Sequence, residues 1–122
     1  MIRVGYLEGT DSLFLNELIA RGMDTVPLSN GVDNHGKFIG HLSKADDISV
    51  VVGFLHKVVP LADSNLTPRD MLHSCQLHDI PVLVIAQKSI HARAKEILGR
   101  ASKFAKLVDP LDLMEMFKKV VG

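Results

Sequence analysis

The sequence predicts an α/β domain of three layers, a five-stranded parallel sheet with helices on both faces. Three observations carry this expectation. Short apolar runs without polar alternation recur along the chain, as in strands covered on both sides. Amphipathic segments of helical period lie between them. Strand and helix alternate throughout, the pattern that builds a parallel sheet through helical crossovers. At 122 residues the chain fits one domain, 1–122, with no internal repeat, low-complexity tract or linker.

The first strand is read in IRVGYL (2–7). SLFLNELIARG (12–22) follows as a helix with Leu15, Leu18 and Ile19 on its apolar stripe and Gly22 as a left-handed stop. DTVPLS (24–29) is the second strand, and Phe38, Ile39, Leu42 and Ala45 predict a second helix. ISVVVGFL (48–55) is the third strand, after which residues 56–66 fit neither pattern. Thr67 then offers an N-cap, Pro68 stands at the first helical position and Asp70 three residues after the cap, a capping box. The buried stripe of that third helix is Met71, Leu72 and Cys75. PVLVIAQ (81–87) is the fourth strand, and Ile90, Ala94, Ile97, Leu98 and Ala101 mark the fourth helix. AKLVD (105–109) is the fifth strand, and Asp109 caps a last helix with Pro110 at its first position and Leu113, Met114, Phe117 and Val121 facing inward. A flavodoxin-like strand order, 2-1-3-4-5, is expected, which places a ligand beyond the carboxyl ends of strands 1 and 3.

Composition narrows the function classes. With 14 basic and 14 acidic residues the formal charge is zero, which argues against a nucleic-acid partner held by bulk electrostatics. The balance hides an asymmetry: residues 1–87 carry six Lys/Arg and ten Asp/Glu, whereas 88–122 carry eight and four. That basic segment reads as a solvated helix face or as a contact for an acidic partner. Apolar residues make up 47%, yet no run approaches the about 18 needed to cross a bilayer. The opening MIRVGYLEG lacks the charged start and long apolar stretch of a signal peptide. Cys75 is the single cysteine, so no internal disulfide forms. A cytoplasmic protein with no membrane partner is expected.

The strand-to-helix connections supply the site candidates. Glu8, Gly9, Thr10, Asp11 and Ser12 follow the first strand, and Ser29, Asn30 and Gly31 the second. Gly9 lets a sugar or phosphate approach the backbone, while Glu8 and Asp11 favour hydroxyls over a free phosphate. Equally, Asp11 or Ser12 serves as the cap of the first helix. His56, at the end of the third strand, is a candidate acid, base or phosphate partner.

No cofactor is implied: the dinucleotide fingerprint G-x-G-x-x-G and the Walker A phosphate loop are both missing. DNHGKFIG (33–40) resembles the D-x-H-x-x-G element of cobalamin-binding domains, but Phe38 stands at the required glycine and the segment is read as a polar turn opening the second helix. Six histidines invite a metal, yet His73 and His78 are five apart, a spacing that does not bring helical ligands onto one face.

Eleven residues between the third strand and its helix exceed the roughly two to six usual in such folds. YLEGT (6–10), ADDISVVVGFL (45–55) and DSNLTPRDMLHSCQLHDIPVLVI (63–85) together resemble nucleoside 2-deoxyribosyltransferase-type domains and related Rossmann-like nucleotide-binding modules. The resemblance implies that Asp63 and Ser64 contact a sugar and that Asp70 occupies the place of the nucleophilic glutamate. Asn65 replaces a glycine of that pattern, Leu66 is inserted, and Asp70 is one methylene shorter. Two functions stay open: N-glycosidic cleavage or transfer on a nucleoside or nucleotide-like ligand, and a noncatalytic sensor or interaction module. The third position after an N-cap also favours an acidic residue regardless of chemistry. A homodimer is expected as well, because the last helix carries more apolar residues than one inward stripe requires.

Overall fold

A computed structural model describes residues 2–32, 36–60 and 66–122. Its strands are β1 (Arg3–Leu7), β2 (Asp24–Ser29), β3 (Lys37–Phe38), β4 (Val50–Phe54), β5 (Val82–Ile85) and β6 (Ala105–Val108). All pairs are parallel and the order is β3-β2-β1-β4-β5-β6. Setting β3 aside, the remaining five follow the expected flavodoxin-like order. The additional strand, β3, corrects the expectation of five. It is two residues long, too short to show a period, and pairs β2 only at Leu28 and Ser29. Pro27, which has no amide to donate, sits just short of that pairing.

The helices are α1 (Ser12–Ala20), α2 (Leu55–Val58), α3 (Pro68–Met71), α4 (His73–Leu77), α5 (His91–Leu98) and α6 (Leu113–Val121). Alternation along the buried strands sorts the core into two. Val50, Val52, Leu83 and Ile85 pack on one face with Phe14 and Leu18 of α1 and with Leu113 and Phe117 of α6. Val51, Val82 and Val84 pack on the other with Met71, Leu72 and Cys75 from α3 and α4 and with Leu98 of α5. Continuous apolar strands are thus covered on both sides, as the sequence pattern requires.

Several boundaries differ from expectation. Phe38–Ala45 is not an α-helix: Ile39–His41 and Lys44–Asp46 are separate 3-10 turns, and Leu42 between them is extended (φ −63°, ψ 142°). Ser43 donates its amide to Asp46 Oδ2 at 2.8 Å, which opens a fresh turn rather than continuing the previous one. Ile39 and Leu42 are still buried, at the start and just past the end of the first turn, which the Leu42 amide closes on the Ile39 carbonyl at 3.3 Å. In α1 the buried pair is Phe14 and Leu18, and Ile19 is 55% exposed, so the stripe is rotated by one position. In α5, Ala94 and Leu98 are buried whereas Ile97, and Ile90 just before the helix, are exposed.

The connection after β4 does not begin as a loop. Leu55–Val58 forms a helical turn anchored by buried Val58. Around α6, Met114, Met116, Val120 and Val121 pack against the core but stay partly exposed. Leu111, just before α6, is 95% exposed. No helix among the described residues is long and apolar enough to cross a membrane.

Candidate functional site

The strand order reverses between β1 and β4, whose carboxyl ends lie side by side with Tyr6 paired to Val52. After β1 the chain turns tightly. The Leu7 carbonyl accepts both the amide of Thr10 at 3.3 Å and its hydroxyl at 2.7 Å. Gly9 has φ 88°, a left-handed conformation costly for other residues. Asp11 Oδ1 accepts the Leu13 amide at 3.0 Å, so Asp11 caps α1. Thr10 is buried and bonded inward, and Asp11 is engaged in its cap. Glu8 is the carboxylate of this turn that reaches a charged partner.

It faces Lys57. The Lys57 ammonium lies 4.0 Å from Glu8 Oε2, and the methylene stem of Lys57 runs beside Gly9. Lys57 is placed by α2, whose carbonyl at that residue accepts the side-chain amide of Asn30 at 3.2 Å. Asn30 Oδ1 in turn accepts the Val32 amide at 3.0 Å, and Ser29 Oγ accepts the Gly31 amide at 3.0 Å. The ends of β1, β2 and β4 are therefore tied into one polar cluster of Glu8, Lys57 and Asn30. His56, on the same turn, is exposed, with its ring 5.8 Å from that of Phe54.

Asn30 also borders a groove of about 350 Å³ whose walls include Gly31, Phe38, Val59, Pro60 and Met71. The Phe38 ring meets the His41 ring edge-on at 5.0 Å, and Gly31 leaves room for it. The groove thus has an aromatic wall and, through Asn30, a polar end.

Asp70 is placed elsewhere. Its Oδ2 accepts the Thr67 amide at 2.8 Å and the Thr67 hydroxyl at 3.0 Å, while its own amide donates to Thr67 Oγ1 at 3.2 Å. The Thr67 amide, and after it the hydroxyl, holds the Asp70 carboxyl below the usual range. Asp70 borders a second cavity with Ile97, Leu98 and Arg100, not the groove beside Asn30. Asp63 and Ser64 lie outside the described residues, as does His35.

Among the described residues no group of three His, Cys, Asp or Glu side chains comes together as a metal site. Burial pushes the Cys75 thiol up to about 12, so it stays protonated at neutral pH. Of the clustered residues, Lys57 escaped the sequence reading; its signal was a lone charge inside the apolar stretch GFLHKVV. Compared with known proteins, the chain matches no family model and no curated protein.

Proposed function

We propose that this domain binds a nucleoside or nucleotide-like molecule at the carboxyl edge of the sheet without cleaving it. The observation that carries the proposal is the Glu8, Lys57 and Asn30 cluster, set where the strand order reverses, of which Asn30 borders an aromatic-walled groove. The base lies in the groove against Phe38. Glu8, and Asn30 through the second Nδ2 hydrogen and second Oδ1 lone pair that Lys57 and Val32 leave open, meet sugar hydroxyls, which both donate and accept. A groove of about 350 Å³ lies near the lower end of small-molecule sites, enough for a nucleoside and too little for a dinucleotide. The resemblance of residues 6–10, 45–55 and 63–85 to deoxyribosyltransferase-type domains supports the nucleoside class, and on that resemblance Asp63 and Ser64 extend the sugar side.

Catalysis is assigned no residue. A nucleophilic carboxylate has to point at the anomeric carbon, and Asp70 instead closes the cap of α3. The reading is therefore a sensor or carrier domain. Calorimetric titration with adenosine, guanosine, thymidine, cytidine and their monophosphates tests it. At least one should bind wild type, and Glu8→Gln and Asn30→Ala should each weaken it about tenfold, the scale of a lost hydrogen bond to a charged or buried group. Binding that ignores both substitutions, or base release by wild type, would overturn it.

A further inference from the structure

Five arginines stand in the chain, and three of them are paired: Arg3 with Asp24 at 3.6 Å, Arg21 with Glu17 at 3.0 Å and Arg93 with Glu96 at 3.1 Å. The other two, Arg69 and Arg100, form no ion pair or side-chain hydrogen bond among the described residues, and both border the same cavity. That cavity, about 450 Å³, opens where the first turn of α3 meets the end of α5. Pro68, Ile97 and Leu98 give it an apolar wall; Ile97 is 37% exposed and Leu98 is buried. Its one carboxylate, Asp70, already takes two hydrogen bonds from Thr67 on Oδ2. After the Thr67 amide and hydroxyl, Arg69 also helps to hold the Asp70 carboxyl low, yet two arginines against one carboxylate leave the cavity net positive. The carbonyl end of α5 repels anions over its last turn, so the arginines, not a helix terminus, supply the attraction.

We propose that this cavity is a second binding site, for a small amphipathic oxyanion whose carboxylate or phosphate is held by Arg69 and Arg100 while its apolar body packs on Pro68, Ile97 and Leu98. The planar fork of guanidinium donors suits both oxyanions, and apolar area beside it rewards an organic anion over an inorganic one. The site is separate from the groove beside Asn30 and stands or falls independently of it.

Amide-shift titrations with phenyl phosphate, benzoate, inorganic phosphate and neutral benzyl alcohol test the proposal. Phenyl phosphate or benzoate should saturate shifts at Thr67, Arg69, Asp70 and residues 97–100; which of the two binds identifies the oxyanion. Inorganic phosphate should move the same amides about tenfold more weakly, and benzyl alcohol should not saturate them. Arg69→Gln and Arg100→Gln should each weaken the organic anion about tenfold with unchanged melting temperature, since both side chains are exposed. Benzyl alcohol binding as well as the anions, wild-type affinity in the double variant, shifts spread evenly over the basic residues 88–106, or no saturation by either organic anion would each overturn it.

Discussion

Thr67 and Asp70 hold each other: the carboxylate of one accepts the amide of the other at 2.8 Å, and the hydroxyl returned by Thr67 accepts the Asp70 amide at 3.2 Å. This reciprocal pair starts α3 and fixes where the chain enters it. Thr67→Ala should cost about 1 kcal/mol, measured by urea unfolding, because it leaves the Asp70 amide without its side-chain acceptor. Asp70→Asn should be the milder change, since an amide oxygen still accepts, and should leave ligand binding beside Glu8 unchanged. A large loss of binding on Asp70→Asn would return that residue to the site.

Acid should loosen the same caps. Asp70 is held low by the Thr67 amide, and Asp109 by the amides of Leu111 and Lys88, which it accepts at 2.9 Å each. With the folded-state value depressed, each carboxylate contributes fully above its unfolded value and loses that contribution as pH falls through the lower folded value. Stability should therefore decline below about pH 4 and be flat with respect to these groups at neutrality. Asp109→Asn should flatten part of the acid limb in a pH series of melting temperatures. An unchanged acid limb in Asp70→Asn, Asp109→Asn double variants would refute the assignment.

Gly53 should resist enlargement. A Cβ there would lie 2.6 Å from Leu7 Cδ1 and 3.0 Å from Leu7 Cβ, inside the strand pair that carries the site. Leu7 is buried and has little room to withdraw. Gly53→Ala should cost about 1–3 kcal/mol by denaturant unfolding. A neutral result would mean that β1 and β4 separate more easily than their packing implies.

Phe117 should matter more than any other side chain of α6. It is fully buried and meets Phe14 edge-on at a centroid distance of 5.5 Å, joining α6 to α1 over the sheet. Phe117→Ala should cost about 3–5 kcal/mol. By contrast Leu111→Ser, at an exposed position, should leave stability within about 0.5 kcal/mol.

The strands and the capped helices were legible because each rests on a local signal. Apolar runs marked β1, β4, β5 and β6, and Thr67-Pro68 and Asp109-Pro110 marked helix starts through cap chemistry acting within three residues. The segment after β2 misled because Ile39 and Leu42 suit a 3-10 turn as well as an α-helix, and the Ser43–Asp46 box that divides it is a side-chain contact rather than a pattern. The stripe of α1 was off by a position because a short helix leaves few turns to average, whereas Ala94, Leu98 and Ala101 lie inward as read and only Ile90 and Ile97 do not. The site was legible in part. Glu8 followed from fold and position, but its partnership with Lys57 and the Asn30 bond to the Lys57 carbonyl depend on three strand ends meeting, which only the sheet order brings about. Asp70 carried an ambiguous signal, because the spacing of a capping box is the same whether or not a ligand is near.

The proposed nucleoside site lies beyond the carboxyl ends of β1 and β4, and the amide spectrum of the wild-type protein decides whether a nucleoside binds there. Titration with the nucleosides and monophosphates should produce saturable shifts concentrated at residues 8–11, 29–32 and 54–58, the turns that carry Glu8, Asn30 and Lys57, with little change in β6 or α6. Saturable shifts confined to other surfaces, or none from any nucleoside or monophosphate at millimolar concentration, would contradict it.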